Sequence, residues 1–276
     1  MRALRFLVVL ALALGLSGCF QFHTVLRVFP AGSARLLSSI TMSTEAYERM
    51  QALAELDPDQ KGAFSLIDEE ALRSAAKGYG PGVTFEGVKS IDGDGEQGYV
   101  ATYRVEDVTT LALPLAPEPP SSLGATGPDS SPSDIVTFDF QPATGDAPAQ
   151  LAIQMPNLLG DAGAMSTGLG GLGTPGTTKD ESGIEMLRAM LQGLQATLRV
   201  EPQGTVTATD ATFEDAGAIT LMRFDFDELL ADPDAFNRLD AQGPPTSTDE
   251  LADRVAATPG IDMEAQTTVT VSFRGE

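Results

Sequence analysis

The sequence predicts an α+β fold in which antiparallel sheets, built from β-hairpins, pack against short helices. Three observations lead to this prediction. Strand-like segments with alternating hydrophobicity recur along the chain and are separated by turn residues, as at Pro30–Ser33. Amphipathic segments that begin with a capping residue lie between some of these strands. One strand–turn–strand motif also occurs twice, which predicts two related halves.

The first segment of the chain has the anatomy of an export signal. Arg2 and Arg5 give it a basic start, and residues 6–16 form an apolar run that only Gly15 interrupts. This run is shorter than the roughly 20 residues that a membrane-spanning helix needs. We therefore predict a cleaved signal peptide over residues 1–18.

The single cysteine of the chain follows this segment directly. The four residues Leu16, Ser17, Gly18 and Cys19 resemble the bacterial lipobox. The resemblance implies that Cys19 receives a diacylglyceryl group and becomes the first mature residue, and the alternative is a secretory signal that leaves a free thiol. In Gram-negative cells, an Asp after the lipidated cysteine commonly retains such proteins in the inner membrane. Phe20 stands there, so for a source with two membranes we predict the periplasmic face of the outer membrane.

The chain is strongly acidic. Its 276 residues include 17 Lys and Arg against 39 Asp and Glu. Cleavage after residue 18 leaves 258 residues with a net charge of −24, enough for one large domain or two small ones. This charge predicts no direct contact with nucleic acid or anionic lipid headgroups, so that attachment to the membrane depends on the acyl chains.

Residues 19–112 are predicted to form an N-terminal α+β half. Ser43 can cap its first helix. The second helix has acids at its start, Lys77 near its end and Gly78 beyond it, an order that matches the helix dipole. The predicted elements are, in order, strands over 22–29 and 34–42, helices from residue 43 and over 68–77, and strands over 83–91 and 98–105.

Two segments have the composition of loops. Residues 113–133 are rich in Pro, Ser and Gly, which predicts a flexible linker between the two halves. The C-terminal half is predicted over residues 134–276, and it contains a Gly-rich loop at about 157–182.

The clearest helix signal follows this loop. Ser182 and Glu185 form a capping box, and Gly193 closes the helix. Its apolar stripe, which could pack on a sheet, line a lipid groove or dock on a partner, consists of Ile184, Leu187, Met190 and Leu191. The other predicted elements of this half are strands over 135–140, 151–155, 218–226 and 264–273, short helices over 225–239 in which Asp232 is a cap, and a helix from Ser247 to about residue 257.

The repeated motif connects the two halves. Residues 26–33, "LRVFPAGS", align with residues 198–205, "LRVEPQGT", and share Leu, Arg, Val, Pro and Gly. We predict that both copies form the same antiparallel hairpin: a strand, a Pro-x-Gly turn and a returning strand.

Residues 187–239 resemble a group of uncharacterised bacterial lipoproteins that are related in layout to the mycobacterial LppM-like family. The shared layout is a helix, a Pro-x-Gly hairpin, the connection "TDATFEDAG" and the strand-to-helix corner "ITLMRFDFDELL". The resemblance implies an α+β fold, an envelope location and binding of lipid or another envelope component. It transfers no catalytic residues.

Few residues can support catalysis. The only histidine, His23, lies four residues after Cys19, where a strand residue near the membrane is expected rather than a catalytic base. The shortage of His and Cys also argues against a zinc site. The acids Asp225, Asp227 and Glu228 cluster at a strand-to-helix corner. They are interpreted as capping and first-turn residues rather than as an acid–base pair.

The motif "GDGEQG" at residues 93–98 has the spacing of a dinucleotide-binding loop. A strand follows it instead of a helix, so we predict a hairpin loop. The acids Asp92, Asp94 and Glu96 leave a weak calcium site open as an alternative to a solvated turn.

The sequence thus predicts a non-catalytic envelope lipoprotein with no cofactor and no metal. Its partners are the membrane, through the acyl anchor on Cys19, and a protein or lipid of the envelope. Two alternatives stay open. A dry apolar cavity would favour a carrier of a hydrophobic ligand, and two buried carboxylates with perturbed pKa values in a cleft would favour a carboxylate-dependent hydrolase.

Overall fold

The structure is a computed structural model that describes residues 20–55, 64–115, 135–157, 192–232 and 246–275. These ranges contain thirteen strands and four α-helices. The strands are β1 (Gln21–Val28), β2 (Ala34–Ser43), β3 (Val83–Gly93), β4 (Glu96–Val105), β5 (Ala112–Pro114), β6 (Ile135–Gln141), β7 (Ala149–Gln154), β8 (Gln195–Pro202), β9 (Thr205–Thr209), β10 (Glu214–Asp215), β11 (Ala218–Asp225), β12 (Ile261–Met263) and β13 (Thr268–Arg274). The helices are α1 (Thr44–Glu55), α2 (Glu69–Gly78), α3 (Phe226–Ala231) and α4 (Thr248–Ala256), and a 3₁₀ turn spans Val108–Thr110.

The strands form two sheets, which confirms the predicted α+β class. Sheet A has eight strands in the order β10-β11-β8-β1-β2-β4-β3, with β12 paired to β11. Sheet B has five strands in the order β5-β6-β7-β13-β9. Every pairing is antiparallel except the one between β1 and β8, which is parallel. Sheet A is therefore a mixed sheet.

One hydrophobic core joins the two sheets. Leu26, Leu36 and Tyr103 lie opposite one another on β1, β2 and β4, and each is at most 1% exposed. Buried residues of sheet B, such as Leu151 and Val271, belong to the same cluster. Side chains of α1 and α2 pack against this cluster too, and a second, smaller cluster lies among α3, α4 and β12.

The helices begin where the sequence predicts them. Ser43 Oγ accepts a hydrogen bond from the backbone N–H of Ala46 at 3.2 Å, at the start of α1. Asp68 accepts one from the N–H of Ala71 at 2.9 Å and caps α2, and Ser247 caps α4 in the same way. Each cap satisfies a backbone donor that the first helical turn leaves unpaired.

The "GDGEQG" segment is a hairpin loop, as predicted. Asp94 and Gly95 form the two-residue turn between β3 and β4, and both have positive φ angles, 53° and 82°. This combination is typical of the Asp-Gly turns that match the twist of a hairpin.

The second copy of the repeated motif does not form a hairpin, so that prediction is wrong. The first copy pairs β1 with β2, whereas β8 lies between β1 and β11 in sheet A and β9 pairs with β13 in sheet B. The chain crosses between the sheets at Gly204, where a Cβ atom would lie 2.0 Å from the carbonyl oxygen of Arg274. A Pro-x-Gly turn specifies a sharp change of direction, but it does not determine which strand the following strand pairs with.

The predicted halves do not form separate sheets. Sheet A takes β1–β4 from the predicted N-terminal half and β8, β10, β11 and β12 from the C-terminal half. The predicted linker at 113–133 also begins too early, because Leu113 lies in β5 and is 1% exposed. The predicted strand over 264–273 is shorter than expected, since β13 begins only at Thr268.

Several predicted features lie outside the described residues. They are the signal peptide, the lipobox with Cys19, the linker from residue 116 onward, nearly all of the Gly-rich loop, the apolar helix stripe from Ile184 to Leu191, and the helix expected after Asp232. In the described part of the chain, no helix is both long and apolar enough to cross a membrane.

Candidate functional site

One face of sheet A packs on the core, and described residues leave the opposite face open. Val25, Leu37 and Val100 lie at the centre of this opposite face and are partly exposed. Neither hydrophobic cluster of the described residues includes them. The face is therefore an extended surface with a small apolar centre. Strands with one buried and one solvated face are common in antiparallel sheets.

The same face carries an unusual number of cations, and we call it the basic face. Of the eleven Lys and Arg in the described ranges, six lie on it. They are Arg27, Arg35, Lys89, Arg104, Arg199 and Arg223. Acids share this face as well: Glu86, Glu96, Glu201, Asp225 and Asp262. The cations are therefore interspersed with carboxylates, in a chain whose formal net charge is −22.

Three of these cations form one cross-strand row. Arg27 on β1 lies directly opposite Arg35 on β2, which lies opposite Arg104 on β4. Like charges in directly opposite positions destabilise a sheet. Glu201 and Glu86 offset part of the repulsion, since they pair with Arg27 at 2.9 Å and with Arg35 at 3.2 Å.

The third arginine of the row has no such partner. Among the described residues, Arg104 makes no ion pair, and it is exposed. It lines an open depression of about 350 Å³ together with Arg35, Phe29 and Glu106. A residue that costs stability and gains no local contact is a candidate for binding, because such costs concentrate at functional sites.

Arg199 is the fourth cation that faces the apolar centre. It lies on β8 beside Val25 of β1. Its Nε atom is buried and has no hydrogen-bond partner among the described residues. An unpaired buried donor on a charged group is costly and rare, and the described residues do not supply an acceptor for this one.

Arg223 differs from the others because its guanidinium is fully engaged. It bonds to Asp262 at 3.1 Å, to Asp225 at 3.2 Å and to Glu228 at 3.0 Å. These contacts raise its pKa, with the hydrogen bond to Asp262 as the largest cause. Arg223 therefore fixes the corner between β11 and α3 and has little capacity left for a ligand.

The acids at this corner act as structural residues, as predicted. Asp225 caps α3 by accepting a hydrogen bond from the N–H of Glu228 at 3.2 Å. Asp227 accepts one from the N–H of Gly193 at 2.8 Å. Each carboxylate thus holds backbone groups in place.

His23 lies on the basic face near the start of β1, in the strand position that the sequence predicts. Burial lowers its pKa, and the nearby charge of Glu96 opposes this shift only in part. This shift favours the neutral form of the imidazole, so the cations of the face are its Arg and Lys residues.

The described residues give little support for a metal site or for an enclosed ligand cavity. No group of three His, Cys, Asp or Glu that could hold a metal occurs in the described ranges. Asp92 accepts a hydrogen bond from Gln97 across the β3–β4 hairpin at 2.6 Å. A second depression, of about 360 Å³ beside Asp227 and Leu230, is open rather than enclosed.

One buried carboxylate stands apart from the basic face. Glu264 is 0% exposed, and its Oε1 atom accepts hydrogen bonds from the backbone N–H groups of Thr212 and Phe213 at 2.6 and 2.9 Å. Its Oε2 atom has no partner among the described residues. The two bonds hold the connection between β9 and β10, which assigns Glu264 a structural role.

The comparisons with known proteins give one distant match. No protein-family model matches the chain, and no curated protein does. Among solved structures, the chain aligns with the NMR structure of the folded domain of Mycobacterium tuberculosis LppM, over 94% of this chain and 91% of that one. The sequence identity is 9% and the TM-score is 0.28, which marks a weak and distant relationship.

The sequence pointed to different residues from those that form this site. The predicted attachment residue, Cys19, lies outside the described residues. The arginines of the basic face were missed because each looks like an ordinary strand residue. The available signal was alternation: Arg27 and Arg35 each stand between two hydrophobic residues, which places them on the solvent side of their strands.

Proposed function

We propose that the protein is a non-catalytic envelope lipoprotein, held by acyl chains on Cys19, and that its basic face binds an anionic partner. The row of Arg27, Arg35 and Arg104 is the observation that carries this proposal. Glu201 and Glu86 already pair with Arg27 and Arg35, which leaves Arg104 as the cation of the row with no ion pair among the described residues. An anionic group bound at Arg104 would offset the repulsion that remains.

The shape and composition of the face support a binding role. Within the described part of the chain it is an open sheet surface with an apolar centre, and Arg side chains lie next to that centre. Guanidinium groups bind carboxylate, sulfate and phosphate with two parallel hydrogen bonds, which gives specificity in addition to charge.

Location narrows the range of anionic partners. A lipoprotein exported across the inner membrane does not meet nucleic acid in its normal compartment. The anionic groups of the envelope are phospholipid headgroups and acidic polysaccharides. We therefore propose an envelope component as the partner of the basic face.

The proposal is tested with the whole mature chain carrying Cys19→Ser, so that lipid does not contribute to binding. Dextran sulfate serves as the anionic probe, and binding is titrated at several salt concentrations. We expect saturable binding that weakens with salt, in spite of the net charge of −24. The triple variant R27Q/R35Q/R104Q should bind at least about tenfold more weakly, since tenfold corresponds to about 1.4 kcal/mol shared by three contacts.

The control is the triple variant R49Q/K77Q/R274Q, which removes the same charge from positions away from the basic face. It should retain nearly all of the binding. An equal loss in both variants would show that only net charge matters, and the absence of binding by the parent chain would contradict the proposal directly.

A further inference from the structure

We infer that strand β3 pairs with β3 of a second copy of this chain, so that two copies anchored in one membrane share a continuous sheet A. The inference goes beyond the proposed function and rests on one part of it, the acyl anchor on Cys19. It concerns the outer edge of sheet A rather than the binding of anions to its basic face.

Strand β3 is a long edge among short ones. It ends the strand order of sheet A in the described ranges and spans 11 residues, Val83–Gly93. The other strands with a single neighbour are much shorter: β9 has five residues, β5 and β12 have three each, and β10 has two. Folded proteins commonly use short edge strands to prevent pairing with other chains, so the length of β3 favours a partner strand.

The hairpin turn determines which backbone groups of β3 face outward. In a hairpin with a two-residue turn, the residues next to the turn, Gly93 and Glu96, bond to each other, and bonded pairs then alternate along the strands. The backbone groups of Val88, Ser90 and Asp92 therefore point away from β4. None of these groups has a hydrogen-bond partner within the described ranges. An antiparallel strand can bond to all of them.

The half of β3 that carries these groups is accessible. Lys89, Ser90 and Asp92 are exposed. The contact with helix α2 lies in the other half, where the guanidinium carbon of Arg73 is 5.2 Å from the centre of the Phe85 ring. A bulge directly after Phe85 limits the regular part of the strand to the half near the turn. The unpaired backbone groups and the exposed side chains thus occupy the same half of β3.

The sequence of β3 favours one register for pairing with itself. When Ile91 lies on the two-fold axis, it faces Ile91 of the second copy, and Ser90 lies opposite Asp92, which can accept a hydrogen bond from its hydroxyl. A register centred on Lys89 would place two ammonium groups opposite each other. A register centred on Ser90 would place the apolar Val88 opposite Asp92. The register centred on Ile91 avoids both conflicts.

The same register provides a partner for Lys89, which forms no ion pair within the described part of a single chain. Lys89 lies opposite Gly93 of the second copy, which has no side chain. Glu96 lies on the next strand, directly beyond Gly93. The Cα atoms of Lys89 and Glu96 are then about 10 Å apart, a distance that these two side chains can span together. The interface is therefore complementary in charge as well as in backbone hydrogen bonds.

The interface is small, so it depends on the membrane anchor. Ser90 and Asp92 of the two copies exchange about four backbone hydrogen bonds in this register. A contact of this size is far below the roughly 800 Å² per partner of a stable complex. Two copies that acylated Cys19 holds in one leaflet have a raised effective concentration, which strengthens a weak contact without any new interaction. We therefore expect the pairing on membranes and not in dilute solution.

The geometry of the sheet permits both anchors to enter one leaflet. Strand β1 begins at Gln21, two residues after Cys19, and Gln21 lies in the same cross-strand row as Ile91. The two β1 strands are separated by three strand steps in each copy and one step between the copies. A twist of about 20–25° at each step adds up to about 150°, which turns the two antiparallel β1 strands into nearly the same direction. A two-fold axis normal to the membrane then places both anchors at the same height.

The experiment traps the pair with a disulfide. The acylated full-length lipoprotein is reconstituted in vesicles of zwitterionic lipid, and mass spectrometry verifies the acylation of Cys19. Because acylation blocks the only native cysteine, Ile91→Cys introduces a single free thiol. Directly opposite residues of a non-bonded antiparallel pair have Cα atoms about 4.5 Å apart, which is within the range of a disulfide. Oxidation with copper phenanthroline, followed by non-reducing gel electrophoresis, measures the covalent dimer.

Lys89→Cys is the matched control, on the same face of the same strand. Its two thiols lie four residue steps apart along the paired strands, about 13 Å, which is beyond the range of a disulfide. We expect I91C to form the dimer at least about tenfold faster than K89C, because only I91C has a partner within range. Equal rates for the two variants, or no dimer from I91C, would overturn the inference.

A second variant tests the backbone hydrogen bonds. Ser90→Pro removes an outward N–H group that has no partner within the described part of a single chain, so it should leave the fold intact. Combined with I91C, it should slow dimer formation at least about tenfold, because the partner strand loses a donor and meets the proline ring. An unchanged rate would show that the thiols meet without strand pairing. If thermal unfolding shows that S90P weakens the fold, the comparison of I91C with K89C decides alone.

The outcomes separate this inference from the proposed function. If I91C forms no dimer but the mature chain binds dextran sulfate through the arginine row, only the pairing of β3 is wrong. If I91C forms the dimer and the chain does not bind dextran sulfate, the pairing stands and the basic face has another role. If Cys19 is recovered without acyl chains, the proposed attachment and the pairing on membranes both fail.

Discussion

Two neighbouring rows of sheet A show how differently its two faces are used. Leu26, Leu36 and Tyr103 form a row on the core side. The residues one position away on the same three strands form the arginine row of the basic face. The first row is almost completely buried, whereas all three arginines are exposed.

The two faces of the same strands can therefore serve different purposes, one stability and the other binding. The pleat directs successive side chains to opposite sides, so a change on one face leaves the other face in place. The core row supplies burial that drives folding. The arginine row places like charges opposite one another, and the ion pairs with Glu201 and Glu86 offset only part of that repulsion.

The largest expected effect comes from a substitution in the core row. Leu26→Ala should lower the free energy of unfolding by about 2–5 kcal/mol, because it removes buried methyl groups and leaves a cavity. Val25→Ala, one residue away on the open face, should cost about 1 kcal/mol. Urea unfolding of both variants measures the difference. Equal losses would contradict the assignment of the two faces.

A second, smaller effect appears in the pH dependence of stability. Burial raises the pKa of Tyr99 on the core side to about 12, and burial also raises the pKa of Tyr103 above its usual range. The unfolded chain ionises near pH 10 while the folded chain keeps its phenols neutral. The stability that these neutral phenols contribute is therefore fully present below pH 10. The free energy of unfolding then falls as the pH rises toward 12, by roughly 3 kcal/mol for Tyr99.

Urea unfolding between pH 8 and pH 12 measures this loss. Tyr99→Phe should reduce the slope of the free energy of unfolding against pH. His23 on the open face provides the contrast. Its pKa is lowered by burial, so its contribution is complete above the unfolded pKa near 6.5 and is lost as the pH falls. A Tyr99→Phe variant with an unchanged alkaline slope would show that this phenol is not protected by the core.

The smallest expected effect is a gain on the open face. Arg104→Gln removes one of three aligned cations and should raise the free energy of unfolding by about 0.2–1 kcal/mol. The gain should shrink at high salt, because exposed charges are screened. Arg27→Gln is the matched control, since it also loses the contact with Glu201 and should show no gain. Destabilisation by Arg104→Gln would show that this arginine has a structural partner.

Local features of the fold were predictable from the sequence. The caps at Ser43, Asp68 and Ser247 and the Asp-Gly turn of the β3–β4 hairpin depend on atoms only a few residues apart. The predicted hairpin at Pro202–Thr205 failed because the same turn chemistry fits a strand that leaves for another sheet. The partner of β9 is β13, more than 60 residues further on, and no local pattern encodes it.

The candidate site was not predictable in the same way. The net charge of the chain argued against anionic partners, since a sum over all residues hides where the charges lie. The grouping of the cations depends on strand pairing: Arg199 lies beside Val25 only because β8 joins β1 in parallel. A one-residue shift in any of these pairings would have placed the cations in the core, so the hydrophobic alternation and the register together define the basic face.

Local sequence patterns predict which residues alternate along the strands, where helices begin, and where an acylated cysteine is expected. Which strands become neighbours depends on how distant segments pack together. This packing brings three arginines from β1, β2 and β4 into one row on the face opposite the core. The physical reason is the distance along the sequence over which the interactions act. Caps and turns depend on contacts within a few residues, whereas the row depends on the burial of hydrophobic side chains from distant segments in one core, which fixes the register of the strands that carry both faces.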